Sequence, residues 1–166
     1  MKVKLFFLKA FVVMCLLTVS CQNSKRDLYP ETLEGGFELL SSEKTGIDFN
    51  NSIKESKFFN HFFYSHIYNG SGVAIGDLDN DGLPDIFFGG NQVGDRLYHN
   101  KGNFKFEDIS KSSKISRNPV WTGGVTMADV NADGFLDIYV SRNGNSLDIN
   151  KRRNLLFINN QDLTFT

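Results

Sequence analysis

Two short stretches of the chain crowd carboxylates together at a fixed spacing. The first, DLDNDGLPD, begins at Asp77, and the second, DVNADGFLD, begins at Asp129. Aspartate or asparagine occupies positions 1, 3, 5 and 9 of each stretch, and glycine occupies position 6. Carboxylates this close repel one another unless positive charge offsets the repulsion, and neither stretch contains lysine or arginine. The spacing therefore indicates oxygen ligands gathered for a hard divalent cation.

Calcium suits this pattern because it accepts six to eight oxygen ligands in a flexible geometry. Side chains at positions 1, 3, 5 and 9 and the backbone carbonyl at position 7 supply oxygens, and water completes the shell. The predicted ligands are Asp77, Asp79, Asp81, Leu83 and Asp85 in the first stretch, and Asp129, Asn131, Asp133, Phe135 and Asp137 in the second. The first stretch has one carboxylate more, so we expect it to bind Ca²⁺ more tightly.

The pattern differs from an EF-hand, whose twelfth position is a bidentate glutamate between two helices. Position 12 here is Phe88 or Val140, and the flanking residues are apolar and typical of strands. Each stretch is therefore predicted to close a β-hairpin, with a dissociation constant on the order of 10⁻⁴ to 10⁻³ M. The alternative is a pair of ordinary Asp/Asn/Gly turns without an ion. Recurrence of the full pattern in the same register favours calcium.

The two acidic stretches belong to a longer internal repeat. Residues 72–88 match residues 124–140 at an offset of 52, and RLYHNKGNFKF (96–106) matches LLFINNQDLTF (155–165) at an offset of 59. The second copy is thus longer by a segment around 141–153. Insertions of this kind usually form loops on one face of a repeat protein.

Each copy contains short apolar runs rich in β-branched and aromatic residues, separated by turn signals. About four short strands per copy are predicted. Four-stranded units that recur at this spacing are typical of propeller blades. The predicted fold class is therefore all-β: an incomplete β-propeller of about two four-stranded blades.

The segment GVAIGDLDNDGLPDIFFGGNQVGDRLYHNKGNFKFEDIS resembles the FG-GAP/VCBS repeat of integrin-type calcium-binding propellers. The entry YNGSGVAIGD (68–77) is similar to the opening blades of large bacterial exported proteins of the ASPIC/UnbV group. The resemblance covers about residues 46–166. It implies a seven-bladed propeller that holds calcium in its inter-strand loops and serves in binding or adhesion. It also implies that the acidic side chains at positions 1, 3, 5 and 9 are the metal ligands.

The N-terminus is interpreted as a targeting segment rather than part of the fold. Residues 1–20 combine three lysines with the apolar run 10–17, which is typical of a signal peptide. The stretch LTVSC ends at Cys21 and resembles a lipobox, so Cys21 is predicted to carry lipid and anchor the chain to a membrane. Residues 21–36 read as a polar tether. The alternative is an ordinary secretory signal followed by an accidental cysteine. The chain is therefore predicted to be an exported lipoprotein located in the bacterial cell envelope.

The remaining chain divides at its repeat boundaries. Residues 37–70 form a lead-in with a predicted aromatic strand, 71–118 form repeat 1, and 119–166 form repeat 2. The second copy stops at a point where the first continues, which predicts a fragment of a longer protein. The aromatic run FFNHFFYSHIYN (58–69) is predicted to be a buried strand, with a sugar-stacking surface as the alternative.

Two function classes follow from these features. The favoured one is a non-enzymatic binding or adhesion lipoprotein, with a protein or glycan partner on the propeller loops. The alternative is the propeller part of an exported enzyme that acts on carbohydrate or lipid. His99 is expected to be half-buried rather than catalytic. Without its first 20 residues the chain holds 15 Lys and Arg against 19 Asp and Glu, a net charge of −4, so nucleic-acid binding is not expected.

Overall fold

The computed structural model describes residues 36–115, 119–142 and 152–166. By its internal contacts the chain divides into two units, Met1–Leu39 and Leu40–Thr166. The predicted signal peptide, Cys21 and nearly all of the tether lie outside the described residues. Within the described part, no helix has the length and apolar character needed to cross a membrane.

The second unit consists almost entirely of antiparallel strands. A single-turn helix, α1 (Ser42–Thr45), precedes seven strands. The first sheet has the order β1-β2-β3-β4 and the second has the order β5-β6-β7. The strands are β1 (Val73–Gly76), β2 (Asp85–Phe88), β3 (Arg96–Asn100), β4 (Phe106–Asp108), β5 (Thr122–Ala128), β6 (Asp137–Arg142) and β7 (Leu155–Phe157).

The predicted all-β class is confirmed, and so is the four-stranded unit in the first repeat. The second repeat has three strands. An isolated bridge between Asn159 and Phe165 lies where its fourth strand would begin. The described strands form open sheets, with no closed barrel or propeller among them. The blade interpretation therefore rests on the repeat and on the packing of the two sheets.

The main hydrophobic core lies between the two sheets. Successive side chains of a strand point to opposite faces, and in β2 the alternate residues Asp85 and Phe87 are buried. Phe87 and Leu97 belong to the same buried cluster as Ile138 and Val140 of β6. Each sheet thus covers one apolar face of the other, as blades of a repeat protein do.

The first strands of the two sheets, β1 and β5, approach each other closely beside the glycine that precedes β1. A Cβ placed on Gly72 would lie 2.4 Å from the backbone nitrogen of Val125. Only a residue without a side chain fits between the two backbones there. The repeat glycine at position 72 is therefore explained by the contact between sheets.

A polar cluster also joins the two sheets. The buried carboxylate of Asp95 accepts hydrogen bonds from the backbone N–H of Gly90 and from the hydroxyl of Thr122, both at 2.8 Å. Nη2 of Arg142 lies 3.6 Å from its other oxygen. Burial raises the pKa of Asp95. The cluster fixes the start of β5 against the segment that follows β2.

The outward face of each sheet keeps apolar side chains exposed. Val73 and Ile75 are exposed on the first sheet, and Tyr139 and Leu156 are exposed on the second. Strands of a repeat array normally lose such exposure to the neighbouring unit. Both faces therefore have the character of surfaces on which a further repeat would pack.

Turns replace the aromatic strand predicted for the lead-in. Residues 57–69 form turns beside a single bridge between Ser56 and Phe59. The hydroxyl of Ser56 accepts from the N–H of Phe59, and the side-chain carbonyl of Asn60 accepts from the N–H of Phe62, both at 3.0 Å. Such local side-chain acceptors compete with strand pairing. The expectation of a buried strand is wrong for most of the run, because Phe58 and Phe62 are exposed.

Another part of the lead-in covers the portion of the first sheet's outward face that is formed by β2 and β3, whereas Val73 and Ile75 of β1 stay exposed. The ring of Phe49 stacks on Phe88 at 5.0 Å between centroids. The buried hydroxyl of Tyr98 donates a 2.7 Å hydrogen bond to Asp48. Residues 48–49 therefore attach this segment to β2 and β3.

We expect Tyr98→Phe to lower the free energy of unfolding by about 1.5 kcal/mol, because a hydrogen bond to a charged acceptor is lost. Burial, and then the bond to Asp48, raises the pKa of Tyr98 from 10.0 to about 12. The fold thus favours the protonated phenol. Its contribution is complete below pH 10 and is lost as the pH rises through 12.

Urea unfolding of wild type and Tyr98→Phe at neutral pH and at increasing alkaline pH measures this contribution. The difference between the two proteins should shrink as the phenol ionises. Tyr139→Phe is the matched control at an exposed tyrosine, with an expected effect below about 0.5 kcal/mol. Equal losses in the two variants would contradict the assignment.

Candidate metal centre

The first acidic stretch, residues 77–85 (loop one), closes the hairpin between β1 and β2. The carboxylate of Asp77 accepts from the backbone N–H of Asp81 at 3.1 Å and of Gly82 at 2.8 Å. The carboxylate of Asp81 accepts from the N–H of Leu83 at 2.8 Å. One oxygen from each of Asp77, Asp79 and Asp81 lies within 4.8 Å of the others. The loop folds back so that its first three acidic side chains converge.

The second stretch, residues 129–137 (loop two), has the same hydrogen bonds in the same register. Asp129 accepts from the N–H of Asp133 at 3.1 Å and of Gly134 at 2.9 Å. Asp133 accepts from the N–H of Phe135 at 2.9 Å. The two loops therefore have the same backbone conformation, as the internal repeat predicts.

Both loops need left-handed backbone at the same two positions. Asn80 and Ala132 have φ of 61°, and Gly82 and Gly134 have φ of 86° and 89°. Glycine adopts such values without steric cost. The glycine at position 6 is thus explained by the sharp turn that brings position 7 back toward the acidic side chains.

The aspartate at position 9 is buried in both loops and acts as an anchor. Asp85 accepts from the N–H of Leu78 at 3.1 Å and of Asn100 at 2.8 Å. Asp137 accepts from the N–H of Val130 at 3.0 Å and of Asn159 at 2.8 Å. Each carboxylate ties its loop to the third strand or segment of its repeat. A lone pair remains on Oδ2 of Asp85 and on each oxygen of Asp137, so this role is compatible with the predicted metal contact.

Asn100 and Asn159 support the two loops through hydrogen bonds, although neither residue was predicted from the sequence. Asn100 donates to the carbonyl of Pro84 at 2.9 Å, and Asn159 donates to that of Leu136 at 3.1 Å. Each side-chain carbonyl also accepts a backbone N–H two residues on. The two asparagines are in register at the offset of 59, and this shared asparagine was the available signal.

Comparison with known families agrees with this geometry. Residues 77–140, from the first predicted ligand of loop one to a point within β6, match the family model of the FG-GAP-like repeat. This region is an FG-GAP-like repeat region. The match contains both acidic loops, strands β2 to β5 and the first part of β6, so it covers parts of both internal copies.

Curated relatives that match the chain bear the name cartilage acidic protein 1. The protein from Xenopus tropicalis is 37% identical and the human protein is 34% identical, each over 76 residues. The mouse protein is 36% identical over the same length. The matched segment is 45% of this chain and 12% of each relative. The chain therefore corresponds to a small part of the length of these relatives.

The electrostatics of the FG-GAP-like loops favour a bound cation. Burial, and then the neighbouring charge of Asp81, raises the pKa of Asp79. Among the described residues, no lysine or arginine forms an ion pair with loop one. In loop two, the hydrogen bond from the N–H of Phe135 lowers the pKa of the exposed Asp133. Loop one thus gathers negative charge that a bound cation would offset.

The arrangement fits the size of a calcium ion. Calcium–oxygen distances are about 2.3–2.6 Å, so two oxygens on one ion are at most about 5 Å apart. The three converging carboxylates of loop one meet this limit. In loop two, Asn131 replaces the second carboxylate and donates to Asp133 at 3.0 Å. Loop one therefore offers more charged oxygens than loop two, and its tighter binding of Ca²⁺ stays a prediction.

His99 lies beside loop one, where the second repeat has Ile158. Its Nδ1 is 2.9 Å from Asp85, and its Nε2 is 3.9 Å from Asp79. Oxygens of Asp79 and Asp85 and a nitrogen of His99 form a second group within 4.8 Å. The sequence predicts a half-buried His99, whereas the structure buries it, at 8% exposure.

The loops of the two FG-GAP-like repeats contact each other directly. Asn80 donates to the carbonyl of Gly134 at 3.1 Å. Asn159 donates to the carbonyl of Leu78 at 2.7 Å. Through these bonds the two candidate sites form one continuous polar edge of the paired sheets.

Proposed function

We propose that this chain is part of a calcium-binding β-propeller repeat lipoprotein with a non-enzymatic role in binding or adhesion at the cell envelope. The observation that carries the proposal is the duplicated loop. The two loops have the same hydrogen bonds in the same register, and in loop one three carboxylates converge. Repetition of this kind suits a structural ion, whereas a single active site does not require it.

The proposed calcium ions stabilise hairpins rather than take part in a reaction. Each ion would offset the repulsion among the carboxylates and hold positions 1 to 9 against the buried anchor aspartate. The anchors Asp85 and Asp137 are the first residues of β2 and β6, whose next alternate side chains enter the core. Ion binding is thereby linked to the packing of the two sheets.

The propeller assignment is supported by the way the two sheets pack and by their exposed outer faces. Apolar side chains on both outer faces suit further blades on either side. The matching segment is 12% of the relatives' length, which suits a longer parent protein. The lipobox-like LTVSC would place this protein at the outside of a bacterial membrane, with partners on its loops. Export also supplies the millimolar calcium that sites of this class require.

Thermal unfolding of the full chain in millimolar calcium and in chelator tests the metal assignment. At a tenfold excess over the dissociation constant, each site adds about 1.4 kcal/mol. Two sites should therefore raise the melting temperature by roughly 10 °C. The double variant Asp81→Ala/Asp133→Ala should lose this rise, because one ligand is missing from each loop.

Single variants and a control sharpen the experiment. Asp81→Ala should remove more of the calcium response than Asp133→Ala, since loop one has the denser carboxylates. Asp162→Ala changes an exposed aspartate outside both loops and should leave the response intact. A cooperative transition that is indifferent to calcium in the wild-type chain would refute the assignment and return the loops to ordinary turns.

A further inference from the structure

His99 distinguishes the two loops chemically, and this difference concerns the kind of ion that each accepts. The strand position after Tyr98 is histidine in the first repeat, and its counterpart in the second is Ile158. All other side chains around loop one that could bind a cation offer oxygen. Imidazole nitrogen suits first-row transition metals such as zinc and cobalt, whereas calcium prefers oxygen.

The hydrogen bond to Asp85 sets which imidazole nitrogen is available. The carboxylate of Asp85 already accepts two backbone N–H groups and is completely buried. A carboxylate accepts hydrogen bonds, so the proton shared at 2.9 Å belongs to Nδ1 of His99. In the neutral ring, Nε2 then carries the lone pair. A carboxylate that holds the far nitrogen of a histidine is the usual support of a metal-binding imidazole.

The free nitrogen points at a carboxylate without forming a hydrogen bond. Nε2 of His99 lies 3.9 Å from Oδ2 of Asp79, beyond hydrogen-bond range. A zinc–nitrogen and a zinc–oxygen bond are each about 2.0–2.2 Å long, so one ion reaches both atoms. His99 is more than nine-tenths buried. A buried side chain is therefore directed into the acidic group with its acceptor nitrogen unpaired.

From this geometry we propose that loop one also binds a first-row transition-metal dication, with Nε2 of His99 and the carboxylate of Asp79 as ligands. Asp85 is the positioning residue that orients the imidazole, and water and the other loop-one carboxylates complete the shell. This inference rests on the proposed cation-binding role of the loops. It adds a preference for transition metals that loop two lacks, because loop two has no histidine beside it. Loop one would select between two classes of ion, and loop two would bind calcium alone.

Cobalt titration of the full chain tests the proposal, because the visible absorption of Co²⁺ reports nitrogen ligands and coordination geometry. We expect one Co²⁺ to bind with an absorption change in the wild-type chain. His99→Ile reproduces the second repeat and so preserves packing. It should weaken Co²⁺ binding by at least about tenfold, with calcium affinity at both loops nearly unchanged.

A second measurement identifies the nitrogen directly. In the chain labelled with ¹⁵N histidine, Zn²⁺ should shift the Nε2 resonance of His99, assigned by its loss in His99→Ile. His61 and His66 are exposed and serve as internal controls that should not shift at the same zinc concentration. The reverse graft, Asn131→Asp/Ile158→His, should give loop two a Co²⁺ absorption of its own.

The outcomes separate the two proposals. Calcium binding with equal Co²⁺ affinity in wild type and His99→Ile would overturn the nitrogen ligand and leave the calcium assignment standing. An unshifted Nε2 resonance at saturating Zn²⁺ would do the same. If the wild-type chain binds neither calcium nor cobalt, both proposals are overturned.

Discussion

Asp85→Ala is expected to cost about 3–5 kcal/mol of unfolding free energy in chelator, before any ion is considered. Asp85 is completely buried and accepts the N–H groups of Leu78 and Asn100, together with Nδ1 of His99. Alanine leaves these donors buried without acceptors. The free energy spent on removing them from water is then no longer offset by hydrogen bonds. Asp137→Ala loses only two such bonds, from Val130 and Asn159, so about 2–4 kcal/mol is expected.

Urea denaturation in chelator and in calcium separates this anchoring role from ion binding. Asp81→Ala is the matched control, because Asp81 belongs to the same loop but is exposed and holds only the N–H of Leu83. Asp81→Ala should lower the unfolding free energy by less than about 1 kcal/mol in chelator. Its larger effect should appear in calcium, where a ligand is missing. An Asp85→Ala protein as stable in chelator as Asp81→Ala would contradict the anchor.

Phe87→Ala is expected to lower stability by about 3–5 kcal/mol, since it removes a large side chain from a fully buried position. Phe87 lies in the cluster shared by both sheets, with Leu97 on its own sheet and Ile138 and Val140 on the other. The cavity would open at the contact between repeats. The loss should therefore appear as weaker coupling of the two sheets as well as lower overall stability.

Phe88→Ala provides the comparison at the adjacent residue. Phe88 points to the opposite face, is half-buried, and contacts Phe49 and Tyr98. A loss of about 1–2 kcal/mol is expected there. Denaturant midpoints for the two variants, with hydrogen exchange of β5 and β6, measure the difference. Equal losses, or unchanged protection of β5 and β6 in Phe87→Ala, would place the core elsewhere.

The sequence predicted the loops well because their chemistry is local. The backbone geometry of a nine-residue loop determines which residue types fit at each position. Asp77 and Gly82 therefore recur in register as Asp129 and Gly134. The hairpin strands follow from the same pattern. The placement of His99 against Asp85 was not predictable, because it depends on the register of β2 with β3, which Ile86 and Tyr98 set by pairing.

The lead-in shows the opposite case. Its aromatic composition favours a strand, yet Ser56 and Asn60 supply side-chain acceptors that hold turns instead. Phe59 and Tyr64 then pack their rings around Trp121 at 5.6 and 5.1 Å. Local hydrogen bonds and a tertiary contact outweigh strand propensity here. Composition alone contains no information on either.

The hydrogen bonds from Asn80 to Gly134 and from Asn159 to Leu78 have a consequence for how the two loops fill. If loop one binds an ion as proposed, that ion would also order backbone on which loop two rests, so less conformational entropy would remain to be lost when a second ion binds. Linkage makes this advantage mutual. Occupancy of the pair should then rise with calcium concentration more steeply than either loop alone would allow, as expected for a cooperative unit.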